Sequence, residues 1–393
     1  VGYGAHIDDL RRRLEGKRVL LTGSTGFKGG WMALWLAELG ARVVGIGLPP
    51  EDRSFMNAVG LAQVVDTRIA DIRDRRDFAS AVEGEDFDIL VHMAAQSLVR
   101  KSYADPVDTF QTNVVGTAVV LEAARRMPSL RAIVVVSSDK CYDNREWVWP
   151  YRETDPMGGH DPYSASKGCT ELIASAYRKS FFHDPDGPRL ASVRAGNVIG
   201  GGDWSRDRIV PDLVRSAETR EPARIRNPHS VRPWQHVLEP LRGYLMLAAA
   251  LVEEGHRYAG GWNFGPAVDA DIDVGTLAEL VRRSWPGQEP GPGPGPGPEY
   301  TADPVKHTVH EANMLRLDST KARVELGWQP ALALEQAVDL TVGWYHMALQ
   351  RPERMLDFTR QQIGRYCACC QDPTHEDETL TESRAITELA ACG

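Results

Sequence analysis

Two short stretches of this 393-residue chain carry side chains suited to moving protons. In Tyr163-Ser-Ala-Ser-Lys167 a phenol and an amine stand four residues apart, on one face of the helix that the segment predicts. An ammonium in that position lowers the phenol's pKa and can hold a ribose, so the phenolate can take a proton from a sugar hydroxyl. In Ser137-Ser138-Asp139-Lys140-Cys141-Tyr142 a hydroxyl is followed at once by an acid and an amine. Each stretch has a plainer alternative: a surface Tyr–Lys pair for the first, a solvated turn with an Asp–Lys ion pair for the second.

Elements that would position these groups are legible around them. Arg18-Val-Leu-Leu-Thr22 is a short apolar run, followed by Thr22-Gly23-Ser-Thr-Gly26-Phe27-Lys-Gly29 and by helical spacing over Trp31 to Leu39. Arg42-Val-Val-Gly-Ile46 is a second β-branched run, so strand, glycine turn, helix and strand follow in order, the unit of a parallel sheet. Glycines so spaced turn the backbone sharply and let it approach a pyrophosphate, which the free N–H groups of the helix then receive. The alternation continues through Asp88–His92, a helix around Asn113–Met127, the run Ala132–Ser137, a helix over Tyr163–Phe181 and a strand near Leu190–Arg194. Continuous apolar strands of this kind are buried on both faces. The expected fold class is α/β, a doubly wound parallel sheet (Rossmann) with a smaller α/β substrate lobe. The expected division is 1–194 for the cofactor domain with a return segment near 235–265, 195–360 mostly for the second lobe, and 361–393 as a disordered tail. The run from Pro286 to Pro298 alternates proline and glycine and reads as a surface insertion.

Composition narrows the function classes. At 42% hydrophobic and 25% charged the chain is of globular type, and its length calls for two lobes. A net charge of −9 argues against a general nucleic-acid binder. No apolar stretch of about 20 residues offers a membrane span. The charged first seventeen residues lack the apolar core of a signal peptide, and a cytoplasmic protein is expected. Among the six cysteines, Cys141 and Cys169 lie in the main body and Cys367, Cys369, Cys370 and Cys392 near the end, with no secreted-type framework. Cys367, Cys369 and Cys370 with His375 lack the paired spacing of a zinc site, so no metal is expected.

The glycine turn with Tyr163 and Lys167 resembles the extended short-chain dehydrogenase/reductase superfamily, and Ser138-Asp139-Lys140 resembles the catalytic triplet of the sugar-nucleotide 4,6-dehydratases in the lysine form of the CDP-glucose branch. The resemblance extends over roughly residues 15 to 350. It includes Gly26–Gly29, Ala94-Ala-Gln-Ser-Leu-Val-Arg100, Asp161–Lys167, Arg194–Trp204, Arg232-Pro-Trp-Gln-His-Val237, His310-Glu-Ala and Leu317–Lys321. Ser138 stands where threonine is commoner, Ser24 and Gly30 where histidine and serine are more usual, and Pro150 where a glycine is expected.

What the resemblance implies is specific. Gly23, Gly26, Phe27 and Gly29 would hold the cofactor's diphosphate, Asp71 and Ile72 its adenine end, and Ala94, Ala95 and Gln96 would line it near the nicotinamide. NAD is the expected cofactor, although Gly47-Leu-Pro-Pro50 occupies the place of the usual acid, and Arg53 could instead meet a 2′-phosphate. Tyr163 would take the proton of the sugar 4-hydroxyl while Ser138 hydrogen-bonds the forming ketone. Lys140 would remove the carbon-5 proton and Asp139 protonate the departing 6-hydroxyl. A sugar nucleotide is the expected small-molecule partner, with Arg232 and Asn197 as its first contacts. Arg208 and Arg226 are alternatives, and Trp234 is either core or a base-stacking surface. A homodimer built through helices that include the Tyr163 helix is also implied. The competing readings are a nucleotide-sugar 4-epimerase, which would not need Asp139 and Lys140, and a non-catalytic sugar-nucleotide binder.

Overall fold

The computed structural model describes residues 7–266, 271–286, 297–302 and 314–370. Its strands in chain order are β1 (Arg18–Thr22), β2 (Arg42–Gly47), β3 (Asp66–Ile69), β4 (Ile89–His92), β5 (Ala132–Val136), β6 (Arg189–Ala195), β7 (Asn197–Ile199), β8 (Ala223–Ile225), β9 (Val231–His236), β10 (Gly260–Phe264), β11 (Asp271–Asp273) and β12 (Tyr300–Ala302). Seven of them form one sheet in the order β10-β6-β5-β4-β1-β2-β3, and every pairing in it is parallel.

Alternate residues of the inner strands enter different cores. Val19 and Leu21 of β1, Ile89 and Val91 of β4, and Val134 and Val136 of β5 belong to one cluster, whereas Leu20, Leu90, Ile133 and Val135 belong to the other. Both faces of the sheet are therefore covered, which is why these strands read as unbroken apolar runs. β3 sits at the edge and reads Asp-Thr-Arg-Ile, too polar for its sequence to mark it as a strand.

The second lobe carries a three-stranded sheet, β11-β9-β7, and a two-stranded one, β12-β8. The chain then returns to the first lobe. The helix Leu238–Glu254 is buried along most of its length, and β10 pairs with β6 as the seventh strand.

One terminal segment adds to expectation and the other departs from it. Within the charged start, Ile7–Leu14 is a helix that buries Leu10 and Leu14. Within the supposed tail, residues 361–370 continue the helix Met355–Cys369, whose Met355, Thr359, Ile363 and Tyr366 are buried. Their spacing of three to four residues makes one inward stripe, and Tyr366 meets Trp35 edge-on at 5.6 Å between ring centroids. The acidity that suggested disorder comes from positions after Cys370. Residues 371–393, the proline–glycine run from 287 to 296 and His310-Glu-Ala lie outside the described residues. Among the described residues no helix is long and apolar enough to cross a membrane.

Candidate active site

β1, β4, β5 and β6 all end at one edge of the sheet, and the strand order reverses between β1 and β4. Ligands of open parallel sheets bind in the crevice at such a reversal. The turn after β1 is locked into it by its glycines. Gly23 has a φ of +81°, and a Cβ there would lie 2.7 Å from the backbone nitrogen of Ala94. A Cβ on Gly29 would come within 2.0 Å of the Gly23 carbonyl oxygen. Gly26 caps the helix Phe27–Glu38 with no side-chain hydrogen bond, so the first N–H groups of that helix face outward for an anion, with Phe27 half-buried behind them. This cradle fits a dinucleotide diphosphate. Gly30, an unusual residue in the turn, has its own reason, since a Cβ there would meet the Phe55 ring at 2.4 Å.

Asp71 and Ile72 follow β3. The Asp71 carboxyl accepts from Arg73 Nε at 2.9 Å, and the guanidinium holds its pKa below the usual carboxylate range. Ile72 is buried and lies where a Cβ on Gly116 would strike it. After β4, the Ala94 N–H donates to Thr22 Oγ1 at 3.2 Å, with Ala95 beside it half-buried. The Gln96 N–H donates to Asn113 Oδ1 at 2.8 Å. Asn113 in turn donates to the Gln96 carbonyl at 3.0 Å and to Ser166 Oγ at 2.8 Å. It lies in a π-turn, Gln111–Val115, whose widened backbone tips the amide between the cofactor loop and the Tyr163 helix. Asn113 was missed as a site residue; a buried amide amid apolar helix neighbours was its only signal.

The helix Pro162–Ser180 begins with Asp161 accepting from the Ser164 N–H at 2.9 Å and with proline in its first turn. It holds Tyr163 and Lys167 one turn apart, both buried. Burial pushes the Tyr163 phenol up to about 12 and the Lys167 amine down to about 8. For the phenol, burial outweighs the lowering by the Ser138 hydroxyl and by the charge of Arg208. Lys167 Nζ is turned to the Val136 carbonyl, 3.2 Å away.

Ser138, Asp139 and Lys140 sit where β5 ends, on a single 3-10 turn. Ser138 Oγ accepts from the Lys140 N–H at 3.3 Å and donates to Asp139 Oδ1 at 2.8 Å, and the closeness of the same hydroxyl works to lower the pKa of the Tyr163 phenol. Asp139 is only 4% exposed, and burial raises its pKa against the pull of Lys140, of the Ser138 hydroxyl and of Arg232. Its other oxygen faces Gly196, where a Cβ would approach to 3.5 Å. Lys140 is half-buried.

From the second lobe, Arg232 on β9 bonds the Val231 carbonyl at 3.0 Å, and its charge reaches Asp139. Asn197 on β7 stands opposite Trp234. Trp234 is buried and donates to the Ile272 carbonyl at 3.3 Å, so its ring packs in the core. Arg208 reaches Asp203 at 2.7 Å and Ser97 Oγ at 3.2 Å, and its charge acts on Tyr163. Arg226 pairs with Asp207 on the surface side. Arg53 is held by both oxygens of Glu218, at 3.0 and 2.9 Å, and stacks 3.8 Å over the Trp204 ring.

A further amine enters the same pocket. Lys28 lies 3.4 Å from the Tyr244 hydroxyl. Burial lowers its pKa to about 7, helped by repulsion from Lys167 and Arg208 and opposed by Asp139. Sequence reasoning passed over both residues. Lys28 had one signal, a charge in the middle of a glycine turn. Tyr244 had none, being 216 positions away. Among the described residues no three His, Cys, Asp or Glu side chains group to hold a metal ion.

Comparison with known proteins places these features. The sequence model of a family described as GDP-mannose 4,6 dehydratase matches residues 20–341. The chain is 46% identical to a CDP-glucose 4,6-dehydratase of Salmonella typhimurium over 357 residues, which is 90% of this chain and 96% of that protein. With a dTDP-glucose 4,6-dehydratase of Xanthomonas campestris it shares 28% identity over 83% of this chain and 92% of the relative. Among solved structures, the dTDP-glucose 4,6-dehydratase DesIV of Streptomyces venezuelae, with NAD and TYD bound, superimposes with a TM-score of 0.67 at 24% identity, over 85% of this chain and 99% of that one. A UDP-glucose 4-epimerase of Thermotoga maritima superimposes with a TM-score of 0.71 at 22% identity, over 85% and 100% of the two chains. Dehydratases and epimerases share this fold, so the fold alone does not separate the two reactions.

Proposed function

The chain belongs to the GDP-mannose 4,6 dehydratase family, and on that premise we propose that it is an NAD-dependent sugar-nucleotide 4,6-dehydratase that converts CDP-glucose to the 4-keto-6-deoxy sugar nucleotide. The observation that carries this reading is the buried Asp139 with Lys140 beside it, on a turn whose Ser138 also neighbours Tyr163. A 4-epimerase eliminates nothing and has no use for an added acid and amine, and the relative of highest identity cited above is a CDP-glucose 4,6-dehydratase.

The cofactor rests on Gly23, Gly26, Phe27 and Gly29 at its diphosphate, on Asp71 and Ile72 at its adenine end, and on Ala94, Ala95, Gln96 and Lys167 toward the sugar. Glu218 and Trp204 engage Arg53, the residue that the sequence offered to a 2′-phosphate, which favours NAD over NADP. NAD, when bound, supplies a two-electron acceptor for carbon 4 and donor for carbon 6. Tyr163 takes the proton of the 4-hydroxyl, and Ser138 hydrogen-bonds the oxygen of the ketone. The ketone acidifies the proton on carbon 5, which Lys140 removes. Asp139, whose burial favours its protonated form, gives a proton to the departing 6-hydroxyl. Arg232, Arg208 and Asn197 on the second lobe hold the substrate's diphosphate and sugar.

The wider assignments have their own support. Leu172 on the Tyr163 helix, with Val107, Phe110 and Val115 on the segment packed beside it, presents exposed apolar side chains, as an interface between two copies would. A cytoplasmic setting suits free thiols such as the buried Cys141.

Incubating the protein with CDP-glucose and NAD and analysing the sugar by NMR tests the reading. A 4-keto-6-deoxy product is expected, whereas an inverted carbon 4 with the 6-hydroxyl intact would make it an epimerase. In Lys140→Met, absorbance of the reduced cofactor should rise on substrate addition while dehydration is lost; normal dehydration would remove Lys140 from its role.

A further inference from the structure

We propose that Ser138 is the middle member of a proton relay that carries to Asp139, in every turnover, the proton that Tyr163 takes from the substrate. The proposal rests on the dehydratase reading above and adds a route for the reset that the reaction's proton balance requires. Conversion of the sugar to its 4-keto-6-deoxy form releases one water and exchanges no net proton with the medium. Tyr163 gains the proton of the 4-hydroxyl. Lys140 takes the proton of carbon 5 and gives it back to carbon 5 as carbon 6 receives the cofactor's two electrons, so it ends as it began. Asp139 loses a proton to the departing 6-hydroxyl, which leaves as water. After one turnover the phenol therefore holds one proton too many and the carboxylate one too few. A second turnover cannot begin until the phenol has lost that proton and the carboxylate has regained one.

Ser138 stands between the two ends of the path: it bonds Asp139 and adjoins the phenol closely enough to work against the rise in its pKa. Ser138 Oγ donates to Asp139 Oδ1 at 2.8 Å and accepts from the Lys140 N–H at 3.3 Å, which leaves one lone pair to receive a proton from the neighbouring Tyr163 phenol. The transfer breaks the Tyr163 O–H bond and forms a new Ser138 O–H bond. It breaks the old Ser138 O–H bond and forms an Asp139 O–H bond; the hydroxyl ends neutral, the phenol becomes phenolate and the carboxylate becomes acid. Tyr163, Ser138 and Asp139 are each less than 9% exposed, so exchange of the proton with bulk water is hindered at both ends of the path. Two of the nearby amines are engaged elsewhere, Lys167 with the Val136 carbonyl and Lys28 with the Tyr244 hydroxyl, and the third, Lys140, handles the carbon-5 proton. Ser138 thus has two duties, one toward the ketone oxygen during oxidation and one between its neighbours when the site is reset.

Rapid-quench kinetics with CDP-glucose and the NAD-loaded protein separate these duties. In Ser138→Ala the turnovers after the first should be slower than wild type by about 100-fold or more, the usual weight of one positioned proton transfer. Their rate should climb with the concentration of a small buffer acid such as imidazolium, which replaces the missing hydroxyl from solution. Ser138→Thr, which keeps the hydroxyl, should restore turnover and abolish the buffer dependence. The relay is overturned if the alanine variant slows first and later turnovers by one common factor indifferent to buffer. It is also overturned if wild-type turnover itself depends on buffer concentration, a measurement that needs no variant to fold. A wild-type protein that dehydrates no sugar nucleotide overturns the dehydratase reading and the relay together, and is recognised before any variant is made.

Discussion

Glu171, on the Tyr163 helix, and Asp139, beside it, are both buried carboxyl groups, 5% and 4% exposed, and their surroundings drive them in opposite directions. Glu171 receives Arg194 Nε at 2.8 Å, Arg194 Nη2 at 2.9 Å and Ser192 Oγ at 2.6 Å. Burial works to raise its pKa, but the Arg194 charge and these donors outweigh burial and hold it below the usual value. The donors that act on Asp139 are neutral, the Ser138 hydroxyl and the Lys140 backbone N–H, with the charges of Lys140 and Arg232 as neighbours, and there burial prevails. Desolvation is common to both; the number and charge of the donors decides the outcome. A fully satisfied carboxylate braces the strand beneath the site, and a poorly satisfied one is left able to hold and give up a proton.

Substitutions at the two positions should part cleanly. Asp139→Asn should cut dehydration by about 100- to 10,000-fold, the range for loss of a positioned acid, with no loss of thermal stability, because the amide is no costlier to bury than the acid. A steady-state assay beside a melting curve checks this, and a destabilised variant would mean that Asp139 is braced as Glu171 is. Arg194→Met should cost about 3–5 kcal/mol of folding stability, since it strands a buried carboxylate without its cation. Urea titration measures that loss; a drop below about 1 kcal/mol would place the Arg194–Glu171 pair with exposed ion pairs and undo the contrast. A smaller effect is expected on the pH profile. The Lys167 ammonium is present below its pKa of about 8 and is lost as pH rises through that value, so its hold on the cofactor ribose weakens and turnover should fall on the alkaline side. Lys167→Arg keeps its charge throughout this range, and the alkaline limb should move upward in a kcat/KM profile; an unmoved limb would assign it to another group.

The parts of the molecule set by local pattern were legible in the sequence. The glycine turn after β1, the Tyr163–Lys167 face and the triplet at the end of β5 each lie within a few residues, so their spacing alone states their geometry. Where contacts join distant positions, the sequence is silent. Nothing near Arg53 announces Glu218, and nothing near Lys28 announces Tyr244, so the first looked available to a 2′-phosphate and the second had no assigned place. The direction of the Asp139 shift was likewise open, because burial and the attraction of Lys140 oppose each other and only the packing around Gly196 and Ser138 sets their balance. The helix Met355–Cys369 was misjudged because its inward stripe adjoins an acidic stretch that dominated the composition.

That last helix bears on how the protein is made. A ribosome delivers Trp31 and Trp35 early, yet the Tyr366 ring that lies against Trp35 and the helix Leu238–Glu254 arrive only late in synthesis. Until then the nascent cofactor lobe leaves a large aromatic surface uncovered, so premature collapse and aggregation are hazards during translation. Trimming the chain before Met355 to remove a supposed loose end would make that transient exposure permanent, and solubility would suffer before catalysis could be assayed.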